Sequence, residues 1–269
     1  MAEPIISVAG LTVMYGGRCV LDGVSLDIQR GEIMVLLGSS GCGKSTMLRH
    51  IIALERPASG TVCVRGVDIN RCSAKELEQI RRAMGVAFQE AALFNSMSVK
   101  DNVSLPLREL TTLADPVIEI MTYLKLSAVG LGDAEHRMPG ELSGGMKKRA
   151  AVARAIALDP EILIFDEPSA GLDPIVAAGL DDLILFLKRA FQMTMLVVTH
   201  ELASAFRIAD RIAMLYNGSL VTVADKESFR ASADPRIRQF LDRVPDPVGE
   251  STTVQSRLCE LAGMKGASA

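Results

Sequence analysis

The 269-residue chain lacks any apolar run near the roughly 18 residues that a membrane-spanning helix needs. Its first residues, Met-Ala-Glu-Pro, lack the basic and apolar segments of a secretory leader, so a soluble chain without a leader is expected. A basic excess is missing too. Lys and Arg number 29 against 32 Asp and Glu, a net charge of −3, which argues against the basic surface that nucleic-acid binding uses. No C-x-x-C pair occurs among the scattered Cys19, Cys42, Cys63, Cys72 and Cys259. That pattern argues against structural zinc and a disulfide framework, and for a reducing compartment. Internal repeats and low-complexity tracts are absent as well. What is present is an ordinary globular balance, 49% hydrophobic and 23% charged, long enough for one large domain or a domain with an inserted lobe.

Short β-branched runs open the chain: Ile5-Ile6-Ser7-Val8, Leu11-Thr12-Val13-Met14-Tyr15 and, after the turn Gly16-Gly17, the alternating stretch from Val20 to Ile28. Ile33-Met34-Val35-Leu36-Leu37 is apolar on both faces and reads as a strand buried between helices. Strands are further expected at Thr61-Val64, Val86-Phe88, Ile162-Phe165 and Met195-Val198. Helical spacing at Leu77, Ile80 and Met84 predicts a helix before Val86, and another is expected from about Val176 to Ala190. Between about Val99 and Leu158 strand signals fade and helical periodicity dominates, the mark of an inserted helical lobe. Alternating strands and helices predict a parallel sheet covered on both faces, and Asn217-Gly218 between apolar runs predicts a hairpin.

Between the buried strand and the helix that starts near Met47 lies Gly38-Ser-Ser-Gly-Cys-Gly-Lys-Ser-Thr46, which satisfies G-x-x-x-x-G-K-[ST]. Its glycines let backbone N–H groups face a phosphate chain, Lys44 adds positive charge, Ser45 offers a hydroxyl to Mg²⁺, and the helix start adds its dipole. Cys42 sits inside this loop. If its thiol is accessible, bound nucleotide should slow its alkylation. Ile162-Leu163-Ile164-Phe165 ends in Asp166 and Glu167, which places carboxylates at the strand edge where α/β folds bind ligands. Asp166 is a candidate to hold Mg²⁺ and Glu167 to polarise water. Leu142-Ser143-Gly144-Gly145-Met146 is a third motif, and by itself it also reads as a helix start capped by Ser143.

This third motif resembles the signature of the ATP-binding cassette (ABC) ATPases, and the family's other elements stand in order from Ile5 to about Val223. Tyr15 lies where the family places an aromatic for the adenine ring, Gln89 where it has the Q-loop glutamine, Ser169-Ala170-Gly171-Leu172-Asp173 where it has the D-loop, and His200 where it has the switch histidine. Taken alone, Tyr15 reads better as a strand aromatic and His200 as a satisfied polar residue at a strand end. The resemblance implies an α/β P-loop NTPase with a RecA-like parallel-sheet core (1–91 and 158–225), an N-terminal antiparallel β subdomain and a helical subdomain (92–157), followed by a tail (246–269). It implies ATP bound by Tyr15, Ser39, Ser40, Gly41, Cys42, Gly43, Lys44, Ser45 and Thr46, with Mg²⁺ held by Ser45, Gln89 and Asp166. Glu167, His200 and Gln89 become catalytic, and Ser143, Gly144, Gly145 and Asp173 reach ATP held by a second copy in a head-to-tail dimer.

Ala92-Leu93-Phe94, Pro106-Leu107-Arg108-Glu109, Leu142 to Arg149 and Asp234 to Leu241 are similar to the ATPases of bacterial phospholipid-trafficking systems of the Mla type, although Glu90 and the stretch Glu167 to Asp173 depart from that group. That likeness implies a site at the cytoplasmic face of the inner membrane, on an integral membrane permease, with an MCE-domain protein and a STAS-domain protein as further partners. An importer of small solutes is the alternative. Leu93, Phe94 and Met97 suit either a groove for a permease helix or the core between lobe and sheet. A short helix is expected from Asp234 to Asp242, with Ile237, Phe240 and Leu241 on one face, packing on its own domain; the alternative is that residues beyond Pro245 reach the partner copy and strengthen the dimer.

Overall fold

The structure, a computed structural model, describes residues 3–245. The chain divides into two compact units, residues 1–231 and the segment from Ser232 onward. Strands β1 (Ile6–Tyr15) and β2 (Arg18–Ile28) open the first unit, followed by β3 (Ile33–Leu37) and α1 (Lys44–Ile51). Next come β4 (Ser59–Val64), β5 (Val67–Asp68), α2 (Ala74–Arg82) and β6 (Met84–Ala87). Three helices follow in succession, α3 (Val99–Leu110), α4 (Asp115–Ala128) and α5 (Gly144–Ala155). The chain then alternates through β7 (Ile162–Asp166), α6 (Pro174–Phe191), β8 (Thr194–Thr199), α7 (Leu202–Ile208), β9 (Arg211–Tyr216), β10 (Ser219–Asp225) and α8 (Lys226–Ala231).

Two sheets result. One is four-stranded and antiparallel, in the order β2-β1-β4-β5. The two early runs are one strand, β1, whose register with β2 shifts between Val8 and Leu11. A bulge of that kind bends a strand without ending it. The other sheet runs β10-β9-β3-β8-β7-β6. Its strands from β9 to β6 are parallel, and β10 closes the edge antiparallel through the hairpin at Asn217-Gly218. β3 and β8 are buried along their whole length, as strands covered on both faces must be.

Local chemistry sets the helix starts. Ser73 caps α2 in a reciprocal box with Glu76, Ser98 caps α3, Ser143 caps α5 and Asp173 caps α6 just before Pro174. Met84, at helical spacing from Ile80, belongs instead to β6, because α2 ends at Arg82 and Met84 pairs with Ile162. In the helical segment α3 packs on α4 and α5, with Leu107, Ile118 and Ala157 at the centre. The second unit carries α9 (Pro235–Leu241), capped by Asp234, whose carboxyl Arg236 holds down at about 2. The tail 246–269 lies outside the described residues. Among the described residues no helix is long and apolar enough to cross a membrane.

Candidate functional site

The phosphate-type loop leaves the carboxyl end of β3 and enters α1. Gly43 takes φ 108°, and a Cβ there would lie 2.6 Å from Leu21 Cδ2 and 3.1 Å from Val20 O, so only glycine fits. Unlike α2, α3, α5 and α6, helix α1 has no side-chain cap, and it has no acid in its first turn. Its leading N–H groups are therefore directed at an incoming anion. Lys44, buried, donates to Gly38 O at 2.8 Å and Ser39 O at 3.1 Å, so the loop is wrapped around its own lysine. Ser39, Ser40, Gly41 and Ser45 are exposed along the loop and Thr46 half-buried. Cys42 is different: its thiol is buried in the core and burial pushes its pKa up. It offers the site backbone only, and the alkylation expected of an accessible thiol has no access.

The acids meet this loop from β7. Successive strand residues normally point to opposite faces, yet Glu167 takes a left-handed φ of 48° directly after Asp166. Such backbone costs a non-glycine residue about 1–2 kcal/mol. It is held by Glu167 N donating to Val198 O at 2.8 Å and by Ala170 N donating to Glu167 O at 3.2 Å. The turn brings Glu167 Oε1 to 3.7 Å from Lys44 Nζ and Oε2 to 2.8 Å from Nδ1 of His200. Asp166 Oδ1 is buried without a hydrogen-bond partner, and burial, followed by the neighbouring Glu167, raises that carboxyl's pKa. An orphaned carboxylate oxygen beside a phosphate loop suits Mg²⁺ and its water shell. Among the described residues no cluster of three or more His, Cys, Asp and Glu could hold a metal alone. Magnesium commonly binds through one or two carboxylates together with substrate phosphates, so the donor set of Asp166 and Ser45 fits it.

Tyr15, at the end of β1, has an exposed ring and donates its hydroxyl to Glu55, which also raises its pKa. Gln89 is exposed just after β6. A cavity of about 310 Å³ is lined by Gln89, Glu90, Gly144, Lys148, Ala170 and Gly171 among others, joining the Q-loop, the start of α5 and the D-loop. Ser143 accepts from Met146 N, and Asp173 accepts from Ile175 N and Val176 N. Among the described residues no hydrogen bond or ion pair joins Ser143, Gly144, Gly145 or Asp173 to the loop at 38–46. One copy thus brings Lys44, Glu167 and His200 together, with no such bond from the signature to the phosphate-type loop.

Sequence reasoning missed Lys148, Arg154 and Asn102, which hold the Q-loop segment. Lys148 donates to Gln89 O and Glu167 O, Arg154 to Ala91 O and Ala92 O, and Asn102 brackets Phe94. One signal was present. Arg154 is the lone charge in the small apolar run from Ala150 to Ala157, a place where a cation needs a partner.

A family model described as ABC transporter matches residues 21–170. Over 247 residues the chain is 45% identical to the probable ribonucleotide transport ATP-binding protein mkl of Mycobacterium leprae, covering 91% of this chain and 71% of that protein. Over 242 residues it is 41% identical to the intermembrane phospholipid transport system ATP-binding protein MlaF of Escherichia coli K12, covering 90% of each. Among solved structures, an ATP-binding cassette captured as a dimer in a post-hydrolysis state with ADP and Pi superposes with TM-score 0.75 at 30% identity, over 82% of this chain and 98% of that one. With the loop, the acids and the signature in this arrangement, the chain belongs to the ABC transporter family, as an ATPase subunit of a transporter.

Proposed function

We propose that the chain energises phospholipid transport between inner and outer membranes, through a dimer with two composite ATP sites. The observation that carries the lipid reading is the likeness to the phospholipid-transport protein of E. coli, which spans 90% of both chains. The composite site is supported by the lack, among the described residues, of any hydrogen bond or ion pair between signature and phosphate loop within one copy. In the dimer each copy's Ser143, Gly144, Gly145 and Asp173 would complete the ATP site of its partner. The working divisions are a core (1–91 and 158–225) and a helical subdomain (92–157). Partners would be a permease at the cytoplasmic face of the inner membrane, an MCE-domain protein and a STAS-domain protein, with no nucleic acid.

ATP hydrolysis requires neutralised phosphate charge and a placed, polarised water. Lys44, Ser45 and the N–H groups of residues 39–46 bind the phosphates, while Tyr15 stacks on the base. Ser45, Gln89 and Asp166 would hold Mg²⁺, which supplies charge neutralisation when bound. Glu167 accepts the proton of the attacking water. His200, 2.8 Å from Glu167, orients that carboxylate through Nδ1 and presents its other nitrogen to the γ-phosphate. Glu167→Gln should bind ATP, accumulate as a closed dimer and lose at least about a hundred-fold in turnover, read by phosphate release and gel filtration. Wild-type turnover would remove Glu167 from the role.

A second reading, import of a small solute, is favoured by the mycobacterial relative, whose name assigns it to ribonucleotide transport. Purification from the native membrane separates the two. Co-purification of an MCE-domain protein supports lipid traffic, whereas a periplasmic solute-binding protein supports import.

A further inference from the structure

Residues 89–98 follow β6 without forming helix or strand. Ala91 and Ala92 lie there consecutively at φ 60° and 49°. Left-handed backbone at two adjacent alanines persists only where the surroundings impose it. Arg154 imposes part of it, donating to Ala92 O at 2.8 Å and Ala91 O at 3.1 Å, with its guanidinium 5.9 Å from the Phe94 ring centroid. Asn102, fully buried, accepts from Phe94 N and donates to Phe94 O, Met97 O and Ser98 O.

Lys148 does something the other two do not. From the second turn of α5 its ammonium reaches Gln89 O at 2.6 Å and Glu167 O at 3.2 Å. Those carbonyls belong to segments leaving two neighbouring strands, β6 and β7. One is the backbone of the Q-loop glutamine. The other is the left-handed peptide on which the Glu167 carboxylate is mounted. The helix supplying the cation is the one whose start carries Ser143, Gly144 and Gly145. An ammonium has three donors and can satisfy both carbonyls at once. An apolar side chain of similar length satisfies neither.

We propose that Lys148 is a positioning residue for hydrolysis, which fixes Gln89 and Glu167 relative to each other and to the signature helix. When α5 shifts against the sheet, both groups are drawn with it, so the geometry of one copy's water-activating acid is linked to how its signature engages the partner's ATP. The inference rests on the roles given above to Gln89 and Glu167.

The test uses the full chain purified with its transporter partners. Lys148→Met should lower kcat about ten-fold, with KM for ATP within about two-fold and the unfolding midpoint little changed. Lys148→Arg should restore most of the rate. On a Gln89→Ala background Lys148→Met should add little, because groups acting as one unit are non-additive. Should Lys148→Met fail to fold, Lys148→Gln, one atom shorter and uncharged, takes its place with a smaller expected loss of about three-fold in kcat, and full turnover there would overturn the proposal. Full turnover in Lys148→Met, or full additivity with Gln89→Ala, or a rate loss that only tracks lost folded protein, would overturn the proposal. Glu167→Gln run alongside separates the two ideas. If it is inactive while Lys148→Met is fully active, the Lys148 role alone falls; if it turns over normally, the reading of the site falls instead.

Discussion

The loops at 38–43 and 89–98 leave the same edge of one sheet, the first after β3 and the second after β6, and they are built in different ways. The first is held by main chain: Cys42 N to Ser39 O, Met47 N to Gly43 O and Gly218 N to Cys42 O, with its own Lys44 folded inside. The second has two main-chain turns of its own, Ala91 N to Phe88 O and Met97 N to Phe94 O, and is otherwise held by side chains, Lys148 and Arg154 from far along the chain and Asn102 from the helix that follows it. A loop tied by main chain keeps its shape when a neighbouring helix moves. A loop tied by side chains changes shape with the helix that supplies them. The contrast matches the two tasks proposed for them, a constant grip on phosphate and a link to the position of the signature helix.

The contrast can be broken most forcefully at Gly43. Gly43→Ala forces a Cβ against Leu21 and a backbone angle that alanine rarely adopts. Nucleotide affinity should fall by about a hundred-fold or more, roughly 3 kcal/mol of strain and displaced loop, measured by calorimetric titration. Asn102→Ala strikes the other loop. It should leave nucleotide affinity within about three-fold while removing about 2 kcal/mol of folding stability, since Phe94 N and Met97 O lose their partner and Phe94 O and Ser98 O lose one of two. Urea unfolding and the same titration check it; a large affinity loss here would erase the distinction between the loops.

A smaller effect is expected at Asp181, a control outside both loops. It is buried beside α7 and accepts from Ser204, and desolvation raises its pKa. With a raised folded-state pKa, the fold binds more protons than the unfolded chain, so Asp181 weakens stability as pH rises above the ordinary aspartate value near 4. Asp181→Asn keeps an acceptor for Ser204 and removes the charge. It should raise the melting temperature by about 2 °C at pH 8, with the gain fading toward pH 4 and nucleotide affinity unchanged.

Which parts were legible in the sequence follows the same division. Gly38 to Thr46, the run ending in Asp166-Glu167, and Ser143 as a helix cap could all be read, because their chemistry is carried by neighbours in the chain. The hairpin at Asn217-Gly218 was legible for that reason too, although its outcome, an antiparallel edge on a parallel sheet, is a property of the assembled sheet. Met84 looked helical because a spacing of four residues is compatible with a helix and its strand pairing to Ile162 is not local. Helix α6 begins at Pro174, earlier than periodicity placed it, because Asp173 caps it. Lys148, Arg154 and Asn102 carry no periodic signal for what they do, since their partners are backbone carbonyls whose positions only the fold defines. The burial of Cys42 was invisible for the same reason.

The turn at Asn217-Gly218 has a practical bearing. Gly218 N donates to Cys42 O, Asp22 N donates to Gly218 O, and a Cβ on Gly218 would lie 2.5 Å from Val20 O. Tight turns between strands are customary places to insert a fluorescent reporter or to open a chain for circular permutation. Here the turn clasps the antiparallel sheet and the underside of the nucleotide loop together. An insertion at Gly218 should therefore loosen the hold on ATP; the exposed Gly16-Gly17 turn gives added bulk no neighbour within 4 Å, yet it adjoins Tyr15 and is no safer a place.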